Sequence, residues 1–319
     1  MADQPLLEVR NLGLSFGSVE VLRGVDLTVN SGEVVGVVGE SGSGKSTLIG
    51  AMMRTLPPPA RITSGSVQLK GTDVLALSDA EVRALRWRDI SLVPQSALDS
   101  LNPVMTVQRQ IVDTMLAHRP DWSRAECDRR ALTLLEQVGI GAEHYRVYPH
   151  ELSGGLRQRV TIALAMALEP PMIVLDEPTT ALDVIMESRI IHQLRTLQRQ
   201  NGFSMVFVTH NLPLLLTFAT RLVVLYAGQV VEEGPADAIA QNPRHPYTRA
   251  LLNAIPSVTG PLEDLASIPG TPPSFEDPPP GCRFHPRCRL AQARCSAEEP
   301  VLTGDARWRA ACWFAEEGA

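Results

Sequence analysis

One stretch of the sequence sets the expectation for the whole chain, Gly39-Glu40-Ser41-Gly42-Ser43-Gly44-Lys45-Ser46. It fits the pattern Gly-x-x-x-x-Gly-Lys-Ser, in which backbone N–H groups turn inward around phosphates and the next helix N-terminus adds partial positive charge. The apolar run Glu33–Val38 before it predicts a buried strand, and Lys45–Leu56 after it predicts a helix. This order of strand, loop and helix predicts nucleotide binding, whereas a Gly/Ser-rich turn without a ligand is the alternative.

The loop residues have expected contacts with a bound nucleotide. We expect Lys45 to reach the β- and γ-phosphates and the Ser46 hydroxyl to bind Mg²⁺. Further ATP contacts are expected from Gly39, Ser41, Gly42, Gly44 and Thr47. The loop alone does not separate kinases, GTPases, helicases and transporters.

Strand and helix signals alternate along most of the chain. Leu7–Phe16 and Val19–Val29 predict antiparallel strands on either side of Gly17. A polar segment at about residues 97–150 has apolar residues at helical spacing and predicts a helical insertion. The expected fold class is therefore α/β, with a parallel sheet core, an antiparallel β subdomain and the helical insertion. Further strands are predicted at Ser64–Lys70, Ile90–Val93, Met172–Leu175, Ser204–Val208 and Arg221–Tyr226.

Two adjacent carboxylates follow one of these apolar runs. Asp176 and Glu177 are expected at the C-terminal end of the strand Met172–Leu175, where open α/β sheets bind ligands. We expect Asp176 to hold Mg²⁺, directly or through water, and Glu177 to act as the general base that polarises the attacking water. The alternative is a pair of solvated acids before a turn at Pro178.

A second glycine-containing helix start lies in the stretch Leu152–Arg159. Ser153 is expected to cap the helix Leu156–Leu168, and Gly154 and Gly155 allow an anion to approach the backbone closely. One domain does not easily aim two such helices at one γ-phosphate. The simplest interpretation is a head-to-tail pair in which each domain lends this helix to its partner's nucleotide, and an ordinary capped helix start is the alternative.

Taken in order, these motifs resemble those of the ATP-binding-cassette (ABC) ATPases. Gln95, after Val93-Pro94, matches the glutamine of the family's Q-loop, Ala181-Leu182-Asp183 matches its D-loop, and His210 matches its switch histidine. The resemblance covers roughly residues 6–255. It implies a P-loop NTPase of the ABC type, with a RecA-like sheet core, that binds and hydrolyses ATP with Mg²⁺.

The resemblance also implies roles that spacing alone leaves open. Gln95 is expected to sense Mg²⁺ and the attacking water, and His210 to contact the γ-phosphate; with Glu177 they form the expected catalytic set. Phe16 stands where the family has an aromatic that stacks on adenine, although a core aromatic is the alternative. The family usually has aspartate after the switch histidine, where this chain has Asn211. The residues expected at the partner's nucleotide or the dimer interface are Ser153, Gly154, Gly155 and the D-loop residue Asp183.

Three further stretches look like the oligopeptide and dipeptide permease ATPases: Ser100–Val107, His245–Leu251 and Gly281–Cys288. This resemblance implies an importer of peptides with two transmembrane permease subunits, a second and often non-identical ABC ATPase, and an external substrate-binding protein. The same subfamily also moves nickel complexes, opines and some sugars, so the substrate stays open at this point.

Bulk composition restricts the cellular role. The formal net charge is −6, which does not favour nucleic acid as a partner. No apolar run approaches the ~20 residues needed to span a bilayer. Asp3 and Glu8 lie where a signal peptide would have basic residues and an apolar block. We expect a peripheral protein on the cytoplasmic face of the cell (inner) membrane.

Two rival classes remain to be weighed against the transporter. Soluble cassette ATPases of DNA repair or the ribosome usually carry two cassettes or a long coiled-coil insertion, whereas this chain has one phosphate loop and a short insertion between Gln95 and Leu152. A nucleotide sensor without turnover would not need both Glu177 and His210. Both rivals are therefore less favoured.

The composition changes near the end of the chain. Eight prolines between Pro256 and Pro280 predict an extended linker, and four of the five cysteines follow it. We expect residues 1–255 to form the nucleotide-binding domain, and residues 256–319 to form a Pro-rich linker and a small Cys-rich extension, separate from the hydrolytic residues. The clustered cysteines are Cys282, Cys288, Cys295 and Cys312.

In a reducing cytosol, such a cluster indicates a metal site rather than disulfides. The Cys-x₂-Cys pairs typical of zinc ribbons are missing from this sequence, so an iron–sulfur cluster is favoured, with zinc or free thiols as alternatives. Resemblance to the permease ATPases also implies a four-iron (4Fe-4S) cluster here. We expect its role to be structural rather than redox catalysis.

Overall fold

A computed structural model describes residues 4–95, 100–180, 182–254, 268–305 and 307–315. No helix in these ranges combines the length and apolar character that a membrane crossing requires. The strands are β1 (Leu7–Phe16), β2 (Val19–Val29), β3 (Val34–Val38), β4 (Ala60–Leu69), β5 (Thr72–Asp73), β6 (Ser91–Val93), β7 (Met172–Asp176), β8 (Ser204–Thr209), β9 (Arg221–Tyr226), β10 (Gln229–Pro235), β11 (Thr303–Gly304) and β12 (Arg309–Ala310). The helices are α1 (Lys45–Met52), α2 (Asp79–Leu85), α3 (Val107–His118), α4 (Arg124–Gln137), α5 (Gly154–Ala165), α6 (Val184–Asn201), α7 (Leu212–Leu216), α8 (Ala236–Gln241), α9 (Pro246–Asn253) and α10 (Ala293–Ala297).

The predicted strands all form, and most begin and end within a residue of their predicted bounds. β1, β2 and β9 match the prediction, whereas β4 begins at Ala60 rather than Ser64. Helix α1 is shorter than predicted and ends at Met52. Arg54 adopts a left-handed backbone (φ 47), which cannot continue a right-handed helix.

The described chain divides into two compact units. The phosphate-loop unit contains the described residues of Met1–Val29, Val34–Leu75 and Val208–Ala319. The signature unit contains those of Asn30–Glu33 and Ala76–Phe207. Each unit positions part of the predicted site.

An antiparallel sheet with the strand order β2-β1-β4-β5 lies in the phosphate-loop unit. The pairs Leu7↔Val29 and Val9↔Leu27 set the register of β1 against β2, and all four side chains are buried. Alternation along the strands places such residues on one face of the sheet. The predicted antiparallel β subdomain is confirmed.

The other sheet strands of this unit are mixed in direction. β3 runs parallel to β9, and Val38 lies opposite Val224. β10 is antiparallel to β9 because a tight turn at Ala227-Gly228 joins them, and a parallel connection needs a longer crossover. β12 in turn pairs antiparallel with β10. The predicted parallel pairing therefore holds for β3 and β9, whereas β10 and β12 add antiparallel strands that were not predicted.

The signature unit contains the predicted helical insertion. β6 and β7 pair in parallel, with Val93 opposite Leu175. Between them α3 and α4 confirm the helical insertion, although residues 96–99 lie outside the described residues. Asp128 on α4 accepts hydrogen bonds from Gln108 Nε2 on α3, at 2.7 Å, and from the Tyr145 hydroxyl, so it ties the two helices to the segment that follows them.

The Cys-rich tail, which is residues 281–305 and 307–315 of the described chain, packs within the phosphate-loop unit. Arg283, Phe284 and Arg287 are buried, and the Trp308 indole donates to Glu232 Oε1 at 2.9 Å. Residues 268–280 contain neither helix nor strand, as expected of a linker. Residues 255–267 lie outside the described ranges, so the predicted domain boundary at 255/256 stays a prediction.

Candidate functional site

The phosphate loop connects β3 to α1 and requires glycine at two positions. Gly44 has a left-handed φ of 101°, and a Cβ atom on Gly39 would lie 2.2 Å from the carbonyl oxygen of Leu225. Ser41 and Gly42 are exposed at the loop tip. The local geometry thus follows the motif closely.

Lys45 spans the loop from the first turn of α1. It is 5% exposed, and its Nζ donates to the carbonyl oxygens of Gly39 at 2.8 Å and Glu40 at 2.9 Å. A phosphate would offer this ammonium stronger, charge-assisted hydrogen bonds than neutral carbonyls do. The neighbouring Ser46 is exposed and Thr47 is half-buried.

A hydroxyl inside the loop also lacks a partner. Ser43 Oγ is buried and has no hydrogen-bond partner among the described residues. Buried polar atoms in proteins are nearly always hydrogen-bonded. An unsatisfied donor at this position fits a loop that is completed by an anionic ligand.

Glu40, which the loop pattern leaves unspecified, links the loop to distant parts of the chain. Its backbone N–H donates to the Tyr247 hydroxyl at 2.8 Å, and its carboxylate accepts from Arg287 Nη1 at 2.6 Å and Nη2 at 2.9 Å. The tail therefore contacts the phosphate loop, although the Pro-rich stretch separates the two in the sequence. The sequence did contain a signal for these contacts with Glu40. Tyr247 and Arg287 belong to two stretches that resemble the permease ATPases, His245–Leu251 and Gly281–Cys288.

The predicted general base is buried at the end of β7. Glu177 is 8% exposed, and its Oε2 accepts from Gln95 Nε2 and from Thr180 Oγ1, both at 3.1 Å. Its backbone is left-handed (φ 44), a strained conformation for a residue with a side chain. Asp176, 9% exposed, is the last residue of the strand. Two neutral donors, Gln95 and Thr180, thus help to orient the Glu177 carboxylate.

Sequence reasoning found Gln95 but missed Thr180. The Thr180 backbone N–H donates to the Glu177 carbonyl oxygen at 3.1 Å and closes a turn across Pro178. That turn returns the threonine hydroxyl to the carboxylate. A hydroxyl three residues after the base was the signal in the sequence.

Two predicted interface residues cap helices within the chain. Ser153 Oγ accepts from the Leu156 N–H at 3.4 Å, which confirms Ser153 as the cap of α5. Asp183 Oδ1 accepts from the Met186 N–H at 2.8 Å and caps α6. Ala181 of the D-loop motif lies outside the described residues. Roles of Ser153, Gly154, Gly155 and Asp183 at a partner's nucleotide stay predictions.

The remaining predicted residues lie at element ends of the phosphate-loop unit. Phe16 ends β1 and is half-buried, and His210 follows β8 and is exposed. Asn211 caps α7, because its Oδ1 accepts from the Leu214 N–H at 3.2 Å. An asparagine amide oxygen therefore performs here the capping task that an aspartate can perform.

The four clustered cysteines line one small cavity. A backbone hydrogen bond joins two of them, because the Cys282 N–H donates to the Cys295 carbonyl oxygen at 2.8 Å. Burial raises the pKa of the Cys282 thiol to about 11. In the described part of the chain, no group of three or more His, Cys, Asp or Glu side chains is arranged to hold a metal ion. The cysteines that line the cavity are Cys282, Cys288, Cys295 and Cys312.

Comparison with known proteins agrees with this geometry. The family model described as "ABC transporter" matches residues 22–180, which include the phosphate loop, Gln95, the Ser153 helix start and Glu177. The chain belongs to the ABC transporter family. A second model, "Oligopeptide/dipeptide transporter, C-terminal region", matches residues 231–295, which include most of β10, all of α9 and three of the clustered cysteines.

Similar proteins are matched along nearly their whole length. The chain is 44% identical to "Dipeptide transport ATP-binding protein DppD" of Caldanaerobacter subterraneus, over 95% of this chain and 93% of that protein. It is also 44% identical to the DppD of Escherichia coli, over 93% and 92% respectively. It is 42% identical to "Oligopeptide transport ATP-binding protein OppD" of Bacillus subtilis, over 93% and 85%.

Solved structures agree with the fold assignment. The ATP-binding cassette MJ0796, in a dimeric post-hydrolysis state bound to ADP and Pi, superposes with a TM-score of 0.64 at 30% identity, over 72% of this chain and 98% of that chain. CbiO1 of Clostridium perfringens, part of the ABC transporter complex cbiONQ, gives a TM-score of 0.66 at 25% identity, over 74% and 91%. The fold is thus that of an ABC ATPase, with mixed sheets and helices.

Proposed function

We propose that this chain is the ATP-binding and ATP-hydrolysing subunit of an importer that takes up dipeptides or oligopeptides. The match of residues 231–295 to the C-terminal region of oligopeptide/dipeptide transporters carries this proposal. Relatives named as dipeptide and oligopeptide transport ATP-binding proteins, matched over nearly their whole length, support it.

ATP would bind at the phosphate loop. Lys45 exchanges the loop carbonyls that it now contacts for the β- and γ-phosphates, and the N–H groups around Gly42 and Gly44 donate to the phosphate oxygens. Phe16 stacks on the adenine base. The remaining phosphate contacts come from Gly39, Ser41, Ser46 and Thr47.

Oxygen-donor side chains suit Mg²⁺, which prefers carboxylate, hydroxyl and amide oxygens. Ser46, Gln95 and Asp176 would hold the ion. When bound, it supplies positive charge that offsets the negative charge of the phosphates. Glu177 then accepts a proton from the attacking water, and its hydrogen bonds from Gln95 and Thr180 hold it in position. His210 contacts the γ-phosphate.

Hydrolysis would require a second ATPase subunit. In the proposed head-to-tail dimer, the N-terminus of α5, with Ser153, Gly154 and Gly155, donates to the γ-phosphate held by the partner, and Asp183 lies at the interface. The dimeric post-hydrolysis structure of MJ0796 supports such pairing. The partner would be a second, non-identical ABC ATPase.

The rest of the assembly follows from the proposed importer. Two transmembrane permease subunits would carry the peptide, and an external substrate-binding protein would deliver it. This subunit would dock peripherally on the cytoplasmic face of the cell (inner) membrane. ATP hydrolysis by the paired ATPases would then drive transport.

The cysteine cavity would hold a 4Fe-4S cluster with a structural role. The support for this proposal is that four thiols, the number of ligands that such a cluster takes, line one cavity, although the described side chains are not arranged as a metal site. The ligands would be Cys282, Cys288, Cys295 and Cys312. When bound, the cluster supplies a cross-link between parts of a tail that has few apolar residues of its own.

The proposed function is tested in vesicles reconstituted with the permease subunits, both ATPases and the binding protein. ATP-dependent uptake of a labelled dipeptide is expected, vesicles without ATP control for leakage, and a Glu177→Gln variant is compared with the parent. Nickel-complex uptake is measured in parallel. Uptake of nickel, opines or sugars without uptake of peptides would overturn the peptide assignment, and normal uptake with Glu177→Gln would overturn the catalytic assignment.

A further inference from the structure

The phosphate loop carries a negative charge where a polyphosphate is expected to bind. Glu40 is the second residue of the loop, and its carbonyl oxygen already accepts from Lys45 Nζ at 2.9 Å. A carboxylate in this position can repel phosphates and attract the ammonium of Lys45. The loop therefore needs a way to control the Glu40 side chain.

Arg287 of the Cys-rich tail provides that control. Its side chain is 5% exposed and forms a two-bond fork to the Glu40 carboxylate, with N–O distances of 2.6 and 2.9 Å. Its Nε donates to the Pro269 carbonyl oxygen at 2.8 Å, and its Nη1 also donates to the Tyr226 hydroxyl at 3.3 Å. Such a buried and fully oriented guanidinium differs from a mobile surface ion pair.

A second contact fixes the backbone of the same residue. The Glu40 N–H donates to the hydroxyl of Tyr247, which is fully buried. The Tyr247 ring lies 4.5 Å from that of Tyr226 and 5.4 Å from that of Phe284, measured between centroids. Phe284 belongs to the tail, so a single aromatic cluster joins the tail, α9 and β9 under the phosphate loop.

We propose that Arg287 is a charge-masking, positioning residue of the nucleotide site. It neutralises Glu40 and holds its carboxylate away from Lys45, so that the loop accepts ATP only while the tail is folded against it. Arg287 immediately precedes Cys288, which lines the cysteine cavity. The inference rests on ATP binding at this loop, as proposed above.

The test measures the dissociation constant of a fluorescent ATP analogue, with Mg²⁺, for the full chain and its variants. Arg287→Met is expected to weaken binding by about tenfold, because the unmasked Glu40 carboxylate repels the phosphates. Glu40→Gln alone is expected to bind at least as tightly as the parent. The double variant Arg287→Met/Glu40→Gln is expected to regain most of the loss, because no carboxylate is left to be masked.

Two further measurements separate charge masking from loss of structure. Added KCl is expected to reduce the defect of Arg287→Met, because salt screens repulsion between charges. Arg287→Lys keeps the charge without the fork, and its defect is expected to be smaller; it also replaces Arg287→Met if that variant does not fold. Arg10→Met is the matched control, because Arg10 forms an exposed ion pair with Glu8, with 2.7 Å between Nη2 and Oε1. The Arg10→Met variant is expected to bind ATP as the parent does.

The outcomes that overturn the inference are distinct from failure of the proposed function. A double variant that binds as weakly as Arg287→Met would show that the arginine only supports the fold of the tail, and so would a defect that salt does not change. Unchanged affinity in Arg287→Met would also overturn the inference. A parent chain that does not bind ATP would overturn the proposed function and this inference with it.

Discussion

Gln95 Nε2 donates to Glu177 Oε2 at 3.1 Å, although 82 residues separate the two in the chain. Thr180 Oγ1 donates to the same oxygen at the same distance. Two side chains of the signature unit thus orient the carboxylate. Orientation in advance of the reaction is what a general base requires.

Replacing Glu177 by glutamine is expected to separate ATP binding from hydrolysis. Glu177→Gln keeps the size of the side chain and removes the proton acceptor, so turnover in the assembled transporter should fall by at least about a hundredfold. ATP affinity should change little, because the phosphate loop is untouched. Lys45→Ala, by contrast, should weaken ATP binding itself. Near-normal turnover with Glu177→Gln would refute its role as the base.

Removing the Thr180 hydroxyl is expected to lower kcat without changing ATP affinity. Thr180→Val leaves the Glu177 carboxylate with one fewer hydrogen bond, and about three- to tenfold slower turnover is the size that loss of one such bond predicts. Steady-state ATPase assays and nucleotide titrations measure the two effects separately. Thr133→Val is the control, because the Thr133 hydroxyl donates to the Arg129 carbonyl oxygen on an exposed face of α4. Equal effects of both variants would remove Thr180 from the site.

The isolated chain is expected to be a poor ATPase. Its own nucleotide site lacks the helix N-terminus that a partner supplies in the head-to-tail dimer, so specific activity should rise steeply with protein concentration or when the partner ATPase is added. Ser153→Ala should remove that rise while leaving ATP binding intact. Full turnover in a chain shown to be monomeric by ultracentrifugation would contradict the dimer.

Protein purified without oxygen is expected to be brown and to contain about four irons per chain, as four cysteine ligands predict. Cys288→Ser should lose the colour and the iron, and assembly of the transporter should weaken. Cys127→Ser is the matched control, because Cys127 is buried in α4 and is not among the residues that line the cysteine cavity. Colourless protein with one zinc per chain would support the zinc alternative, and unchanged assembly after loss of all four thiols would refute the structural role.

Local chemistry made much of the site predictable. The phosphate loop depends on glycines and a lysine that lie close together in the sequence. The cap of α5 depends on the Ser153 hydroxyl, which accepts from the N–H of Leu156 only three residues later. Glu40 and Arg287 are 247 residues apart in the chain, and no sequence motif tells which glutamate pairs with which arginine. Their pairing follows from packing of the tail, which no local pattern encodes.

The same distinction explains the fold. Buried runs such as Val34–Val38 predict strands correctly, because every residue is apolar and five in a row suffice for a short parallel strand. β10 was not predicted, because it includes Glu232 and Glu233 and a search for apolar runs passes over charged residues. Glu232 is nevertheless fully buried, because its carboxylate accepts from the Arg244 and His245 N–H groups and the Trp308 indole. Only the folded tail supplies that last donor.

β12 gives the tail a further consequence, for the solubility of the chain. It contains only Arg309 and Ala310, and it pairs with β10 along the edge that faces away from β9. A long uncovered edge strand invites pairing with strands of other molecules, whereas a short covering strand with a charged residue discourages it. A chain cut before the tail would therefore be prone to aggregate through β10 even if its nucleotide site were intact.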